Sequence, residues 1–126
     1  MALTLGILLN LTFGMVEFGY YFYVRNMLCD AAREGARAAI VPGAQNSDVT
    51  AAVNNTLGTC KFPAGSVTTS ITDTSGNALT VSSTSGGTPI QVSVTATWGA
   101  IGVGFRPLNL ISAAKSVAGA CVMRKE

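Results

Sequence analysis

The stretch ALTLGILLNLTFGMVEFGYYFY constrains this chain more than any other, because Glu17 is the one charged residue among the first twenty-four. No proline interrupts residues 2–40, and Pro42-Gly43 then supplies a stop signal, so the pattern predicts a single helix over about 1–40. Such a helix would extend about 60 Å, and its nearly uncharged part, about 36 Å long, exceeds the ~30 Å hydrocarbon core of a bilayer. The remainder, VRNMLCDAAREGARAAIV, must project into water. Its charges alternate with Leu28, Ala32 and Ala36 at i, i+4 and i+8, the stripe of a helix waiting to be covered by a small domain. Tyr20, Tyr21, Phe22 and Tyr23 stand at the junction, where an aromatic belt would meet lipid headgroups. Two regions are therefore expected: a hydrophobic segment, 1–24, and a globular domain, 25–126, that includes the amphipathic helix 25–41.

At 100° per residue, Gly6, Asn10, Gly14, Glu17, Tyr21 and Arg25 share a sector of about 100° on the first helix. Small residues let helix backbones approach closely, and a polar residue among them is tolerated in lipid when another helix offers it a partner. An acid at mid-membrane costs about 3 kcal/mol on insertion scales. Glu17 thus either reaches headgroup water or pairs with Arg25 or the N-terminal amine of a neighbouring copy. The six residues form the expected helix–helix assembly seam.

Beyond residue 44, SDVTAAVNNTLGT reads as a short helix with Ser47 as N-cap, Asp48 in its first turn, Val49, Ala52, Val53 and Leu57 on one face, and Gly58 at its end. The period then changes to two. VTTSITD (67–73) and ALTVSS (78–83) flank Thr74-Ser75-Gly76-Asn77 as a hairpin. IQVSVTATW alternates Ile90, Val92, Val94, Ala96 and Trp98 with polar residues, and KSVAGACVMRKE supplies a last strand. The expected fold is α+β: a long N-terminal helix whose C-terminal half packs on an antiparallel sheet of about four strands, with one short extra helix.

Catalytic and metal chemistry find little support. The chain has no histidine and no CxxC pair, which argues against zinc or haem, and Asp30, Glu34, Asp48 and Asp73 show no paired spacing. GAIGVGF (99–105) lacks both the Lys-Ser/Thr of a phosphate loop and GxGxxG spacing. A net charge of +2 without a basic run excludes nucleic acid as a partner. No cofactor or metal is expected, and the chain reads as a structural protein, not an enzyme. Cys60 and Cys121 either staple the domain, adding roughly 3–4 kcal/mol in an oxidising compartment, or remain buried thiols. Cys29 reads as a buried small residue. Asn54-Asn55-Thr56 matches a glycosylation acceptor triplet, a pattern common by chance.

FGMVEFGYYFYVRN (13–26), DAAREGARAAIVPGA (30–44), FRPL (105–108) and CVMRKE (121–126) resemble the TadE-like family, pilin-like proteins of tight-adherence pili within the type IV pilin class. The resemblance implies a short basic leader removed by a prepilin peptidase and residence in the inner membrane through the N-terminal helix. The subunit then enters or primes a surface filament, with the helices bundled in its core. The implied partners are further copies of the chain and the pilus assembly and secretion machinery. One departure stands out. Such pilins usually carry a glutamate at the fifth mature position, where this chain has Leu5 if Met1 is the mature end, and Gly6 stands where proline is common. The expected role is a structural subunit of an extracellular pilus-like filament. The alternatives are a minor membrane-anchored pilin that primes assembly and a bitopic surface binding module.

Overall fold

The structure of the 126-residue chain, a computed structural model, describes every residue except Met1, Lys61, Ala64 and 102–107, together with the side chain of Ala2. Most of GAIGVGF and of FRPL therefore lies outside the described residues. Helix α1 runs unbroken over Ala2–Ile40, with Arg37 in its last turn complementing the negative end of the helix dipole. It stops where Pro42-Gly43 predicts. Gly43 takes φ +81°, a backbone setting that L side chains resist, and Ala44 N–H donates to Val41 O at 3.1 Å.

Helix α2 spans Asn46–Thr59 and starts one residue before the expected cap. Gln45, not Ser47, is the N-cap, because the Asp48 carboxylate reaches back to accept the Gln45 N–H at 2.8 Å. The buried residues Val49, Val53 and Leu57 recur at i, i+4 and i+8 and form its inner face.

Strands β1 (Val67–Thr72), β2 (Pro89–Thr97) and β3 (Ser116–Arg124) form one antiparallel sheet in that order, with Ile71, Val92 and Cys121 in register. The alternation read in β2 is realised: Ile90, Val92, Val94 and Ala96 are buried in the core shared with α1. Among the described residues the sheet has three strands where about four were expected. Residues 78–83 make one bridge, Ala78 to Thr72, and then a 3-10 turn over Val81–Ser83. The cause lies in the groups that capture this segment. Asn46 Oδ1 accepts the Val81 N–H at 2.7 Å, Asn46 Nδ2 donates to Leu79 O at 3.3 Å, and Lys125 Nζ donates to Val81 O. After the Leu79 N–H bond to Ile71 O, the next backbone groups, Leu79 O and both groups of Val81, are thus taken by the α2 N-terminus and Lys125, and the ladder with β1 goes no further.

The turn joining β1 to this segment is held by Asp73. Its Oδ1 accepts the N–H groups of Ser75 and Asn77, both at 2.8 Å, and its Oδ2 accepts Asn77 Nδ2 at 3.0 Å. These bonds, the Asn77 side chain first, hold the Asp73 carboxyl below its ordinary 3.8. A depressed folded pKa means that the carboxylate's contribution is complete above the unfolded value and is lost as pH falls through the folded one. Exchange of the Ser75 and Asn77 amides should therefore stay slow down to about pH 4 and accelerate only in stronger acid. In Asp73→Ala it should be fast throughout.

The core is closed by small residues on α1. Ala31, Ala32, Ala36 and Ala39 are fully buried, as is Leu28, so the helix axis lies close to both α2 and the sheet. A Cβ at Gly35 would sit 2.7 Å from Val53 Cγ2 and 3.1 Å from Val92 Cγ1. Gly119 on β3 is tighter still: a Cβ there would fall on the backbone of Leu28 and Cys29, 2.6 Å from Leu28 O and nearer to Cys29 N.

Of the two readings left open for Cys60 and Cys121, the structure shows the unpaired thiols. All three cysteines are free thiols. Cys60 donates to Met27 Sδ on α1 at 2.9 Å, while Cys121 lies on β3 among residues packed against the core. Different neighbours hold the two thiols.

Candidate functional site

Two parts of α1 behave differently. Leu3 to Thr12 is exposed throughout, and Leu3, Leu5, Ile7, Leu8, Leu9 and Leu11 present apolar side chains all around the helix. By length and composition α1 is able to cross a membrane. Its polar side chains here turn back on their own backbone: Asn10 Nδ2 donates to Gly6 O at 3.0 Å and Thr12 Oγ1 to Leu8 O at 2.8 Å. Each thereby makes one hydrogen bond that needs no water.

From Gly14 onward a collar of the chain's own residues grips the helix. Glu17 is 0% exposed, and its Oε1 accepts the buried Ile111 N–H at 3.0 Å across 94 residues of sequence. Its Oε2 has no hydrogen-bond partner among the described residues, and the same holds for Trp98 Nε1. Leu110 Cδ1 lies 3.8 Å from where a Gly14 Cβ would stand. Residues 108–111 thus form a strap across α1, and Asn109 provides its bend at φ +50°, a conformation asparagine tolerates better than most residues.

Trp98 completes the collar. It is buried, its ring lies 5.6 Å from that of Tyr20 and 5.5 Å from that of Tyr21, and its backbone N–H donates to Lys115 O at 2.8 Å. The four-residue aromatic belt is therefore divided. Tyr20 and Tyr21 pack inward on Trp98, whereas Phe22 and Tyr23 face outward. Helical spacing decides this split, since 20 and 21 flank the face that Glu17 and Val24 bury.

The six residues of the expected seam fall into three settings. Gly6 and Asn10 are exposed on the projecting segment, and Arg25 is exposed beside the domain. Gly14, Glu17 and Tyr21 are covered at least in part by Leu110, Ile111 and Trp98 of the same chain. What covers half of the sector is the chain itself, through a segment ninety-odd positions away that sequence periodicity could not connect to the helix. Trp98 had a signal, the last inward position of the β2 alternation. Leu110 and Ile111 had none.

Among the described residues no group of three or more His, Cys, Asp and Glu is placed to hold a metal. A cavity of about 270 Å³ between α2 and the start of β1 is lined by Asn54, Leu57, Gly58, Phe62, Pro63, Gly65 and Val67, with no ionisable side chain among them. The distinctive surface of this molecule is the exposed apolar helix, not a pocket.

No curated protein and no solved structure matches the chain. A family model described as TadE-like protein matches residues 1–37, the part of α1 that carries the exposed surface and the collar, and so bears out the resemblance to the TadE-like family read from those residues.

Proposed function

We propose that the chain is a structural subunit of a pilus-like filament, held in the membrane by α1 and then packed into a helical core with other copies of itself. The TadE-like match over residues 1–37 supports this reading, since that family is one of pilin-like proteins of tight-adherence pili. One observation carries the finer reading: the apolar surface of Leu3 to Leu11 is exposed on every side of the helix. Contiguous apolar surface of this extent is not stable in water. Lipid covers it before assembly and neighbouring helices cover it afterwards.

In this proposal residues 1–24 are the membrane and filament-core segment, and the rest is the outward-facing domain. Gly6 and Asn10 offer a close approach to a neighbour. The partners are further copies and the pilus assembly machinery, and the chain passes from the inner membrane to the cell surface. Negative-stain microscopy of the surface fraction, with mass spectrometry of the mature N-terminus, tests it. Filaments containing the chain are the expected result. Their absence, with the chain confined to the membrane, would reject the filament role.

A further inference from the structure

Gly14 divides α1 into a part without cover from its own chain and a part inside the collar. Before it, Leu3 to Thr12 are exposed on every side of the helix. At Gly14 the strap arrives, with Leu110 Cδ1 3.8 Å from where a Cβ would stand, and about one turn later the Ile111 N–H meets the Glu17 carboxylate.

We propose that this division is the outer edge of the hydrocarbon: acyl chains cover α1 up to Gly14, and the strap rests in the lipid headgroup layer with Leu110 reaching its inner boundary. The inference rests on the reading of α1 as a membrane helix and narrows the part of residues 1–24 that acyl chains cover. Composition alone sets the boundary near Val24, after the tyrosines and before Arg25. The fold moves it back by ten residues, about 15 Å along the helix.

Three observations select the headgroup layer as what the strap meets. The strap is neither helix nor strand, and irregular backbone facing lipid is not tolerated within the hydrocarbon. Its sequence carries no charge, and Leu110, 56% exposed, has the exposed Asn109 and the exposed Ser112 close by to bond headgroups or their water. The polar side chains of α1 change partners at the same level. Asn10 and Thr12 bond carbonyls of their own helix, whereas Glu17 is enclosed by the domain, which keeps a carboxylate at the membrane surface from facing acyl chains. The headgroup layer is about 5–8 Å thick. With its inner edge at Gly14, Phe18 lies about 6 Å further out, inside the layer, and Phe22 about 12 Å out, beyond it.

Depth-dependent quenching in phosphatidylcholine vesicles tests the assignment on the full-length chain. An environment-sensitive fluorescent amino acid bearing a naphthyl ketone replaces Leu11, Phe18, Phe22 and Leu110 one at a time. Ser75, in the turn at the opposite end of the sheet from Trp98, serves as the aqueous reference. All five side chains are exposed, so the fold is retained, as circular dichroism would verify. Lipid with a mid-chain nitroxide should quench the probe at Leu11 at least about threefold more than lipid with a headgroup nitroxide, and the order should reverse at Phe18 and Leu110. The probes at Phe22 and Ser75 should answer to aqueous iodide. Mid-chain quenching at Phe18 and Leu110 would return the boundary to Val24. A probe at Leu110 quenched only by iodide would lift the strap off the membrane, and one reached by no quencher would place a second copy over it. Each of these results overturns the assignment. A probe at Leu11 quenched only by iodide would reject the membrane reading of α1 and the contact with it. Quenching in the expected order from a chain that forms no filaments would reject the filament role and leave the boundary standing.

Discussion

Replacing Gly119 with alanine is expected to unfold or nearly unfold the domain, a loss of about 3 kcal/mol or more, at the upper end of what overpacking costs. The added methyl would meet not a flexible side-chain tip but the main chain of Leu28 and Cys29, at separations that real atoms do not adopt. Relief requires β3 to lift away from α1. The same strand is bonded along its length to β2, so lifting it would also disturb the registers of Val92 with Cys121 and Val94 with Gly119. Thermal unfolding followed by circular dichroism would measure the loss. Gly58→Ala is the matched control, because a Cβ there meets nothing within 4 Å and α2 should gain up to about 1 kcal/mol. If both variants melted alike, the close approach of α1 to β3 would not matter to stability.

Glu17→Leu should free the strap. The leucine keeps an apolar side chain in the collar but leaves the buried Ile111 N–H without its acceptor, which costs about 1–3 kcal/mol. Since 1.4 kcal/mol is a factor of ten, the Ile111 amide should exchange about ten- to a hundredfold faster. Glu17→Gln keeps a carbonyl oxygen in place and should lie between the two. An Ile111 amide equally protected in Glu17→Leu would show that the carboxylate does not hold the strap. Because Glu17 spends one oxygen on its own chain, a loss of assembly in this variant would trace to a displaced strap before it traced to a missing bond between copies.

The limits of sequence reading follow from where each signal lives. Helix α1 and its stop at Pro42-Gly43 were legible because periodicity, absence of proline and a breaker act within a few residues of one another. Strand β2 was legible for the same reason, through the alternation of Ile90, Val92, Val94 and Ala96. The segment 78–83 has strand composition, yet Asn46 and Lys125 take its backbone groups from positions far along the chain. Composition cannot report that competition. Glu17 posed the converse problem. A wheel drawn on α1 groups it with Gly6 and Asn10, but only the fold reveals that Ile111 reaches it. Gly119 was one glycine among fourteen until a helix backbone was found lying on it.

The placement of β3 has a consequence for biogenesis. This strand supplies the closest contact to α1, and Lys125 just after it secures the turn at Val81, yet it is made after every other strand of the sheet. Helix α1 is therefore made before the strand that covers it, and its row of alanines stays uncovered until the distal segment arrives. Synthesis that halts before residue 116 leaves the helix with an incomplete sheet and an unsealed flank.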